Sequence, residues 1–287
     1  MVYTYFYFKK IIVRIFAITF FSLFFFIAIF CFIPNFKTDV SDEEIIEIKL
    51  PIIMYHGLVK EKKFENALFI NVDLFEEDLK YLIKNNFNSI FVKDLINYVY
   101  EDVPLPENPI MITFDDGYSN NFLYGLPLLK KYNQKIVFSP IGDCIGNSTE
   151  NFQYVTWDQI KEMVETGLVE IQNHSYNTHN LKERKDCLKM KYKFCKKYEE
   201  ELKIDVMKFQ KSVFEHLGQT PEAFVYPFDI LCFEAKSILK CLGFKTTFSC
   251  KEKINKIFKH PDSIYYLYLF LRPNNITTEK FFKKIYN

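Results

Sequence analysis

The stretch that most restricts the fold is residues 110–118, which read Ile-Met-Ile-Thr-Phe-Asp-Asp-Gly-Tyr. Its first half, Ile110–Phe114, is a short apolar run that predicts a buried strand. Asp115 and Asp116 follow at once, and Gly117 then allows a sharp turn. Adjacent acids at a buried strand end repel each other and lose hydration, and a cation or a shared proton would relieve both costs. A plain turn is the alternative, because Asp and Gly favour turns in any protein.

Short apolar strand patterns alternate with helical patterns from residue 50 to residue 271. This alternation predicts an α/β fold with a mainly parallel sheet, either open or closed into a barrel. Functional sites in such folds gather at the carboxyl ends of the strands. Asp115 and Asp116 fall there, and so does His56, which ends the strand pattern Leu50–His56. Residues 186–217 form a long, charged helical pattern, and we interpret its Lys and Glu runs as a solvated face.

Two further histidines follow the predicted strand Leu168–Gln172. His174 and His179 are five residues apart in the sequence Asn-His-Ser-Tyr-Asn-Thr-His-Asn-Leu. This spacing separates them by about 140° on a helix and puts them on opposite faces of a strand, so they converge only if the backbone turns between them. Two imidazoles and one carboxylate would make an open three-ligand metal site. The alternative is a surface histidine and a loop histidine, but three of the five histidines follow predicted strands, which favours the metal.

The amino terminus contains an uncharged apolar run, residues 15–34, whose length of about 20 residues is what a bilayer crossing needs. Lys9, Lys10 and Arg14 precede it, which favours an amino terminus inside and the remainder outside. The run is longer than a usual signal-peptide core and no small-x-small cleavage site follows it, so we prefer an uncleaved anchor to a cleaved signal peptide. We therefore predict, on the cell membrane, a cytoplasmic segment at 1–14, a single transmembrane signal-anchor at 15–34, a tether at 35–49 and an extracytoplasmic domain at 50–287.

Charge and cysteine content argue against two kinds of site. The 37 basic and 36 acidic residues nearly cancel, so no basic field is present to bind nucleic acid. None of the seven cysteines belongs to a Cys-x-x-Cys pair, so we do not expect a structural zinc ribbon. The six cysteines outside the apolar run could form disulfides outside the cell or could remain buried thiols.

The two motifs together resemble a known family. Thr-Phe-Asp-Asp-Gly-Tyr at 113–118, followed by His-Ser-x-x-x-His at 174–179, is similar to the polysaccharide deacetylases, the carbohydrate esterases with NodB homology. The resemblance covers roughly residues 50–275 and implies a distorted (β/α) barrel with mainly parallel strands, so that 50–287 would be the catalytic domain. The five-residue histidine spacing and the pair Tyr55-His56 resemble the subgroup that removes acetyl groups from poly-N-acetylglucosamine.

The resemblance also implies the chemistry. The protein would be a hydrolase of N-acetyl groups on a polysaccharide with N-acetylglucosamine units, and would use a divalent metal, zinc before cobalt or nickel. Carried over by position, the general base would be Asp115 and the metal ligands would be Asp116, His174 and His179. The backbone N–H of Tyr118 would face the oxyanion, and His56 would be the general acid. Tyr226 and Pro227, in the third motif, would lie against the substrate.

The chain departs from the family pattern in that third motif. An arginine that tunes the base usually stands two residues before a proline, whereas here Val225 stands two residues before Pro227. Arg272, at the end of a predicted strand, is our candidate to supply the missing charge, and a surface arginine is the alternative. No Leu-x-His stretch lies near the end of the chain, and we interpret His260 as a loop residue.

Two other functions stay open from the sequence. A metal-dependent hydrolase of the same fold could act on peptidoglycan, chitin oligomers or a non-sugar amide, because substrate choice lies in loop shape. A membrane-tethered glycan-binding protein without catalysis is the second, and Val225 at the arginine's place is the reason to keep it.

Overall fold

The central strand of the fold is β6 (Pro109–Asp116), whose eight residues are all buried. The computed structural model of the chain describes residues 47–149, 152–179, 195–229 and 235–286. β6 lies between β2 (Ile52–Tyr55) and β7 (Ile136–Pro140) and pairs parallel with both. A strand that is buried on both faces needs a continuous apolar run, which is why Ile110–Phe114 predicts it correctly.

Two parallel sheets carry the architecture. The first has the order β13 (Phe270–Leu271), β2, β6, β7 and β8 (Val169–Ile171), with β5 (Asn88–Ser89) also paired to β6. The second has the order β12 (Leu267–Tyr268), β10 (Thr246–Ser249) and β9 (Ala223–Val225). A parallel bridge between Asn173 and Phe224 joins them on one side. Only Leu269 separates β12 from β13 on the other. This order confirms the predicted α/β fold with mainly parallel strands and has the connectivity of a distorted barrel.

Two small strand pairs complete the sheets. β1 (Ile48–Leu50) pairs antiparallel with β11 (Asn255–Ile257), and β3 (Gly57–Val59) pairs parallel with β4 (Phe69–Asn71). The pattern Leu50–His56 predicts one strand, but the chain leaves β1 at Pro51 before β2 begins. Proline lacks the N–H that a strand ladder requires, which accounts for the break.

Seven α-helices are found in the described residues: α1 (Val72–Lys84), α2 (Val92–Tyr100), α3 (Leu126–Tyr132), α4 (Trp157–Glu165), α5 (Cys195–Leu217), α6 (Ala235–Cys241) and α7 (Thr278–Tyr286). Alternate residues of β6 face two different cores, since Ile112 packs in the cluster that contains Leu79 of α1, and Met111 packs in the cluster that contains Leu95 of α2. Fully burying a side chain of this size contributes about 1.5–3 kcal/mol. Packing on both faces therefore holds the end of β6 in place.

Several predictions concern the amino-terminal part of the chain. The cytoplasmic segment 1–14 and the transmembrane signal-anchor 15–34 lie outside the described residues. Most of the predicted tether, 35–49, also lies outside the described residues, and its last two residues, Ile48 and Lys49, belong to β1. Among the described helices, none combines the length and the apolar character that a bilayer crossing requires. Ile46–Asn287 clusters as one compact unit, in which Cys144 and Cys241 are free thiols.

Candidate metal centre

Asp115 and Asp116 end β6 at the carboxyl edge of the sheet, and the chain turns immediately after them. Asp116 has a left-handed backbone with φ of 67°, and Gly117 follows with φ of 87°. A Cβ atom on Gly117 would lie 2.5 Å from the Cβ of Pro140, so only glycine fits at this point. The turn expected from the Asp-Asp-Gly sequence is present, and it lies at the edge of the sheet where the site forms.

His174 and His179 converge on Asp116. The Oδ1 atom of Asp116 lies 3.5 Å from Nε2 of His174 and 3.5 Å from Nε2 of His179. One ligand atom from each residue lies within 4.8 Å of the other two, a spacing that one ion can bridge at ligand distances of about 2 Å. The structure therefore brings together the three residues that the family resemblance predicts as metal ligands.

The donor set fits a divalent metal. Nδ1 of His174 lies 2.9 Å from the carbonyl oxygen of Val225, which can only accept, so Nδ1 carries a proton and Nε2 faces Asp116. A metal-ligating histidine is usually oriented in this way by its second nitrogen. Two imidazoles and one carboxylate leave coordination positions open for water and substrate, which is typical of a catalytic zinc site. Val225 thus contributes its carbonyl to the site, while its side chain is buried in the core.

The charges of the cluster favour a cation. Burial lowers the pKa of His174, but the hydrogen bond and the charge of Asp116, together with the charge of Asp115, outweigh it and raise the pKa. Burial raises the pKa of Asp116, and the hydrogen bond and charge of His174 reverse this and hold the pKa below its usual range. A site that stabilises positive charge on its imidazoles would also attract a metal ion between them.

Asp115 is buried beside this cluster and makes no contribution to the three-ligand group. Burial raises the pKa of Asp115 to about 7, against a lowering effect of His174. Among the described residues its Oδ1 atom has no hydrogen-bond partner, although the atom is buried. A carboxyl group with a pKa near neutrality and an unused oxygen is suited to accept a proton.

His56 follows β2 directly, so it reaches the same edge of the sheet as Asp116. Its backbone carbonyl accepts a hydrogen bond of 2.7 Å from Nδ2 of Asn121. Burial lowers the pKa of the His56 ring, while Asp116 raises it and His174 lowers it. His56 therefore interacts electrostatically with Asp116 and His174, and its buried Nδ1 makes no hydrogen bond within the described part of the chain.

Tyr118 follows the Asp-Asp-Gly turn, and its side chain contacts the cluster. Its hydroxyl donates a hydrogen bond of 3.1 Å to Oδ2 of Asp116, the oxygen that does not face the histidines. Its backbone forms an antiparallel bridge with Tyr154, in which the hydrogen bonds use the Gly117 carbonyl and the Ser119 N–H. The Tyr118 N–H takes part in neither of those bonds. The hydroxyl contact was not predicted from the sequence, since the motif alone gives no direction for the side chain.

The structure corrects the prediction for Arg272. Its Nε and Nη2 atoms bind the two carboxylate oxygens of Asp78, at 2.7 and 3.0 Å. Nη1 donates to the carbonyl oxygens of Pro273 and Ile276, and Nη2 also contacts the hydroxyl of Thr278. These contacts use all five guanidinium donors, so none is left for Asp115. Arg272 is therefore a buried structural residue and neither supplies the missing charge nor lies on the surface.

Tyr226 and Pro227 are also placed differently from the expectation. Tyr226 is only 1% exposed, with its ring stacked 5.8 Å from that of Tyr266, and Pro227 is buried as well. Buried side chains offer a polymer almost no surface to contact. The next residue, Phe228, is 39% exposed, and its ring centroid lies 4.2 Å from that of His179. Phe228 is thus the member of this motif that the solvent side of the site can contact.

An open cleft of about 290 Å³ lies beside the cluster and shares Tyr118 with it. Its aromatic and basic lining consists of Phe64, Phe69, Tyr118, Tyr124, Phe152 and Lys60. The ring of Phe152, which is 37% exposed, stacks on Phe69 at a centroid distance of 5.7 Å and an interplanar angle of 9°. It also lies 5.4 Å from the ring of Tyr118. A row of aromatic faces therefore runs from the solvent to the residue that contacts Asp116.

The chain is similar in sequence to known polysaccharide deacetylases. A family model described as polysaccharide deacetylase matches residues 102–247. YxkH of Bacillus subtilis is 34% identical over 127 residues, which are 44% of this chain and 42% of that protein. The poly-beta-1,6-N-acetyl-D-glucosamine N-deacetylase of Staphylococcus aureus (strain MSSA476) is 26% identical over 180 residues, which are 62% of this chain and 60% of that protein. The chain thus spans less than two thirds of either curated relative.

A solved structure extends the similarity beyond the residues that the family model matches. IcaB from Ammonifex degensii superposes with a TM-score of 0.68 at 26% sequence identity, covering 78% of this chain and 92% of that one. The matched family region contains Asp115, Asp116, His174 and His179, the same residues that the fold places at one edge of the sheet.

Proposed function

The chain belongs to the polysaccharide deacetylase family, and from this premise we propose that it hydrolyses N-acetyl groups of a polysaccharide that contains N-acetylglucosamine. The observation that carries the proposal is the position of Asp116, whose Oδ1 is 3.5 Å from both histidine Nε2 atoms. A buried carboxyl group, Asp115, stands directly beside this cluster with a pKa raised to about 7. A metal site next to a proton acceptor is what metal-assisted hydrolysis requires.

Asp116, His174 and His179 would hold the metal, and the other residues would move protons. When bound, a divalent metal, zinc in the first place, supplies a Lewis acid for the acetyl oxygen and a positive charge that lowers the pKa of the attacking water and of Asp115. Asp115 accepts a proton from the attacking water while the water oxygen attacks the acetamide carbon. The second oxygen of Asp116 is held by the Tyr118 hydroxyl, which keeps the carboxylate oriented towards the histidines.

Two further groups would act on the acetamide itself. The Tyr118 N–H donates to the oxygen on which negative charge develops, a contribution of about 3–4 kcal/mol for one such donor. His56 donates a proton to the leaving amine, which gives acetate and a glucosamine unit. Burial lowers the pKa of the His56 ring and so makes its protonated form a stronger acid, while the charge of Asp116 opposes this effect and favours the protonated form.

The cleft beside Tyr118 supports a polymeric substrate. Apolar faces of sugar rings pack on aromatic side chains, and the cleft presents several of these next to the reacting centre. The name of the Staphylococcus aureus relative refers to poly-beta-1,6-N-acetyl-D-glucosamine, which makes this polymer the first substrate to test.

Membrane attachment is part of the proposal. The apolar run 15–34 and the basic residues before it favour a single-pass anchor with the catalytic domain outside the cell. Deleting residues 1–34 should then move the protein from the membrane fraction to the soluble fraction, and no change in distribution would contradict the anchor.

The decisive experiment measures bound metal and released acetate on the same sample. The detergent-solubilised chain should contain about one divalent metal ion per molecule and release acetate from poly-N-acetylglucosamine. Asp115→Asn should keep the metal and lose turnover, by about 10²–10⁴-fold for a general base, whereas His174→Ala should lose the metal. Wild-type turnover in Asp115→Asn would show that the assignment of the base is wrong. Bound metal without acetate release from any acetylated glycan would indicate a binding protein.

A further inference from the structure

The backbone turns between the two histidines, and several hydrogen bonds hold the loop in this conformation. Ser175, directly after His174, has a left-handed backbone with φ of 70°. Its N–H donates a hydrogen bond of 2.9 Å to Oδ1 of Asn173. The segment after β7 also binds the loop backbone on one side. The N–H of Gly142 donates to the carbonyl oxygen of Ser175, and the N–H of Asp143 donates to the carbonyl oxygen of Tyr176.

On its other side the loop is bound by one carboxylate, that of Asp205 in α5. Oδ2 of Asp205 accepts from the N–H of Tyr176 at 2.8 Å and from the hydroxyl of Thr178 at 3.2 Å. Oδ1 accepts from the N–H of Asn177 at 2.7 Å. Three consecutive loop residues thus converge on a single carboxylate that is only 7% exposed. Hydrogen bonds to an ionised acceptor are shorter and stronger than neutral ones, so this contact can fix the loop conformation.

The helix that carries Asp205 is itself firmly packed. Val206, Phe209 and Val213 of α5 are completely buried. The carbonyl oxygen of Val206 accepts a hydrogen bond from Nδ2 of Asn173, so α5 also holds the residue before His174. Lys208 Nζ lies 3.9 Å from the ring centroid of Tyr176. Neighbouring turns of α5 therefore contact the loop at its start and at its middle.

We propose that Asp205 is a positioning residue for the metal centre, which sets the separation of His174 and His179 by holding the backbone between them. The inference rests on the proposed metal-dependent function. Asp205 does not bind the metal, because both of its oxygens are occupied by the loop. Asp205 orders the loop before the metal binds, so that metal binding no longer carries the conformational-entropy cost of ordering it. The histidines are then already in place when the ion arrives.

The test compares metal affinity with stability in the full chain. Asp205→Asn keeps the size of the side chain but replaces one acceptor oxygen by a donor, which cannot pair with a backbone N–H. We expect its Kd for zinc, measured by competition with a chelating dye, to rise about 10–100-fold. The absorption bands of the cobalt-loaded protein should also change, because they report ligand geometry. Val213→Ala on the same helix is the control, since it weakens the packing of α5 without touching the loop.

The outcomes are distinguishable. A loss of affinity in Asp205→Asn that exceeds the loss in Val213→Ala, at a similar fall in Tm, supports the proposal. Equal losses in the two variants, or an unchanged Kd and cobalt spectrum in Asp205→Asn, would overturn it. If Asp205→Asn does not fold, Asp205→Glu retains the charge but displaces it by one methylene, and wild-type affinity in that variant would overturn the proposal. A wild-type protein that binds no metal would instead refute the proposed function.

Discussion

Arg272 and Asp78 form a two-pronged ion pair, with N–O distances of 2.7 and 3.0 Å, in which both side chains are completely buried. The hydroxyl of Tyr55 donates to the same carboxylate at 2.9 Å, and the hydroxyl of Thr278 donates to it at 2.6 Å. The pair thus joins the carboxyl-terminal part of the chain to α1 and to β2, directly before His56. Its role is to support the strand that leads to the site.

Replacing Arg272 with Met should lower the free energy of unfolding by about 3–5 kcal/mol, because it leaves the Asp78 charge buried without its partner. Denaturant unfolding of the variant and the wild type measures this. Lys256→Met breaks an exposed pair with Glu47 and should cost at most about 1 kcal/mol. Turnover per folded molecule should stay within a few-fold of wild type. Loss of turnover without loss of stability would instead show that Arg272 has a catalytic role.

Metal binding should stabilise the folded protein. A metal that binds only the folded state adds about 4 kcal/mol at a free concentration 1,000 times its Kd, so a chelator should lower Tm by several degrees. In His174→Ala, which lacks one ligand, the chelator should have little effect on Tm. An equal fall in both proteins would mean that the chelator removes a metal from some other place.

The pH dependence of the metal-free protein should reveal Asp115. Burial raises the pKa of Asp115 from the ordinary 3.8 to about 7, so the folded protein holds one more proton than the unfolded chain between these values. Stability should therefore fall as pH rises from about 4 to about 7, by at most about 4 kcal/mol at roughly 1.4 kcal/mol for each pH unit crossed. Unfolding curves of wild type and Asp115→Asn at several pH values test this. The free energy of unfolding of the wild type, minus that of Asp115→Asn, should fall as pH rises through this window and should be constant outside it. A difference that is independent of pH would show that Asp115 is ionised in the fold.

Phe152 should matter for a polymer and not for a small substrate. Its exposed ring ends the aromatic row of the cleft, and loss of one stacking contact of about 1 kcal/mol should raise KM for the polysaccharide roughly five-fold in Phe152→Ala. The kcat/KM for a small acetyl ester should be unchanged. Phe214, exposed on α5 outside the cleft, is the matched control for removing a surface ring. Equal effects on both substrates would mean that Phe152 supports the catalytic residues instead.

The strands and the motif residues were predictable because their signals are local. A continuous apolar run followed by two acids and a glycine predicts a buried strand that ends in a turn, and β6 has this form. Alternation of strands and helices predicts parallel pairing, and parallel pairing brings Asp116 and His174 to the same edge of the sheet. The sequence itself thus determined the fold class and the identity of the three residues that meet, together with the resemblance that gives them roles.

The environment of each residue was decided only by the tertiary structure. Arg272 pairs with Asp78, which lies 194 positions away in the chain, and no local pattern could have separated that partner from Asp115. Asp205 lies in a run of charged residues that is typical of a solvated helix face, yet its carboxylate is buried against the loop between the histidines. Tyr226 is aromatic and part of a family motif, but packing on Tyr266 places it in the core. Sequence periodicity reports which residues are apolar and in what order, whereas the direction and partner of a polar side chain depend on contacts between distant elements that form only when the chain folds.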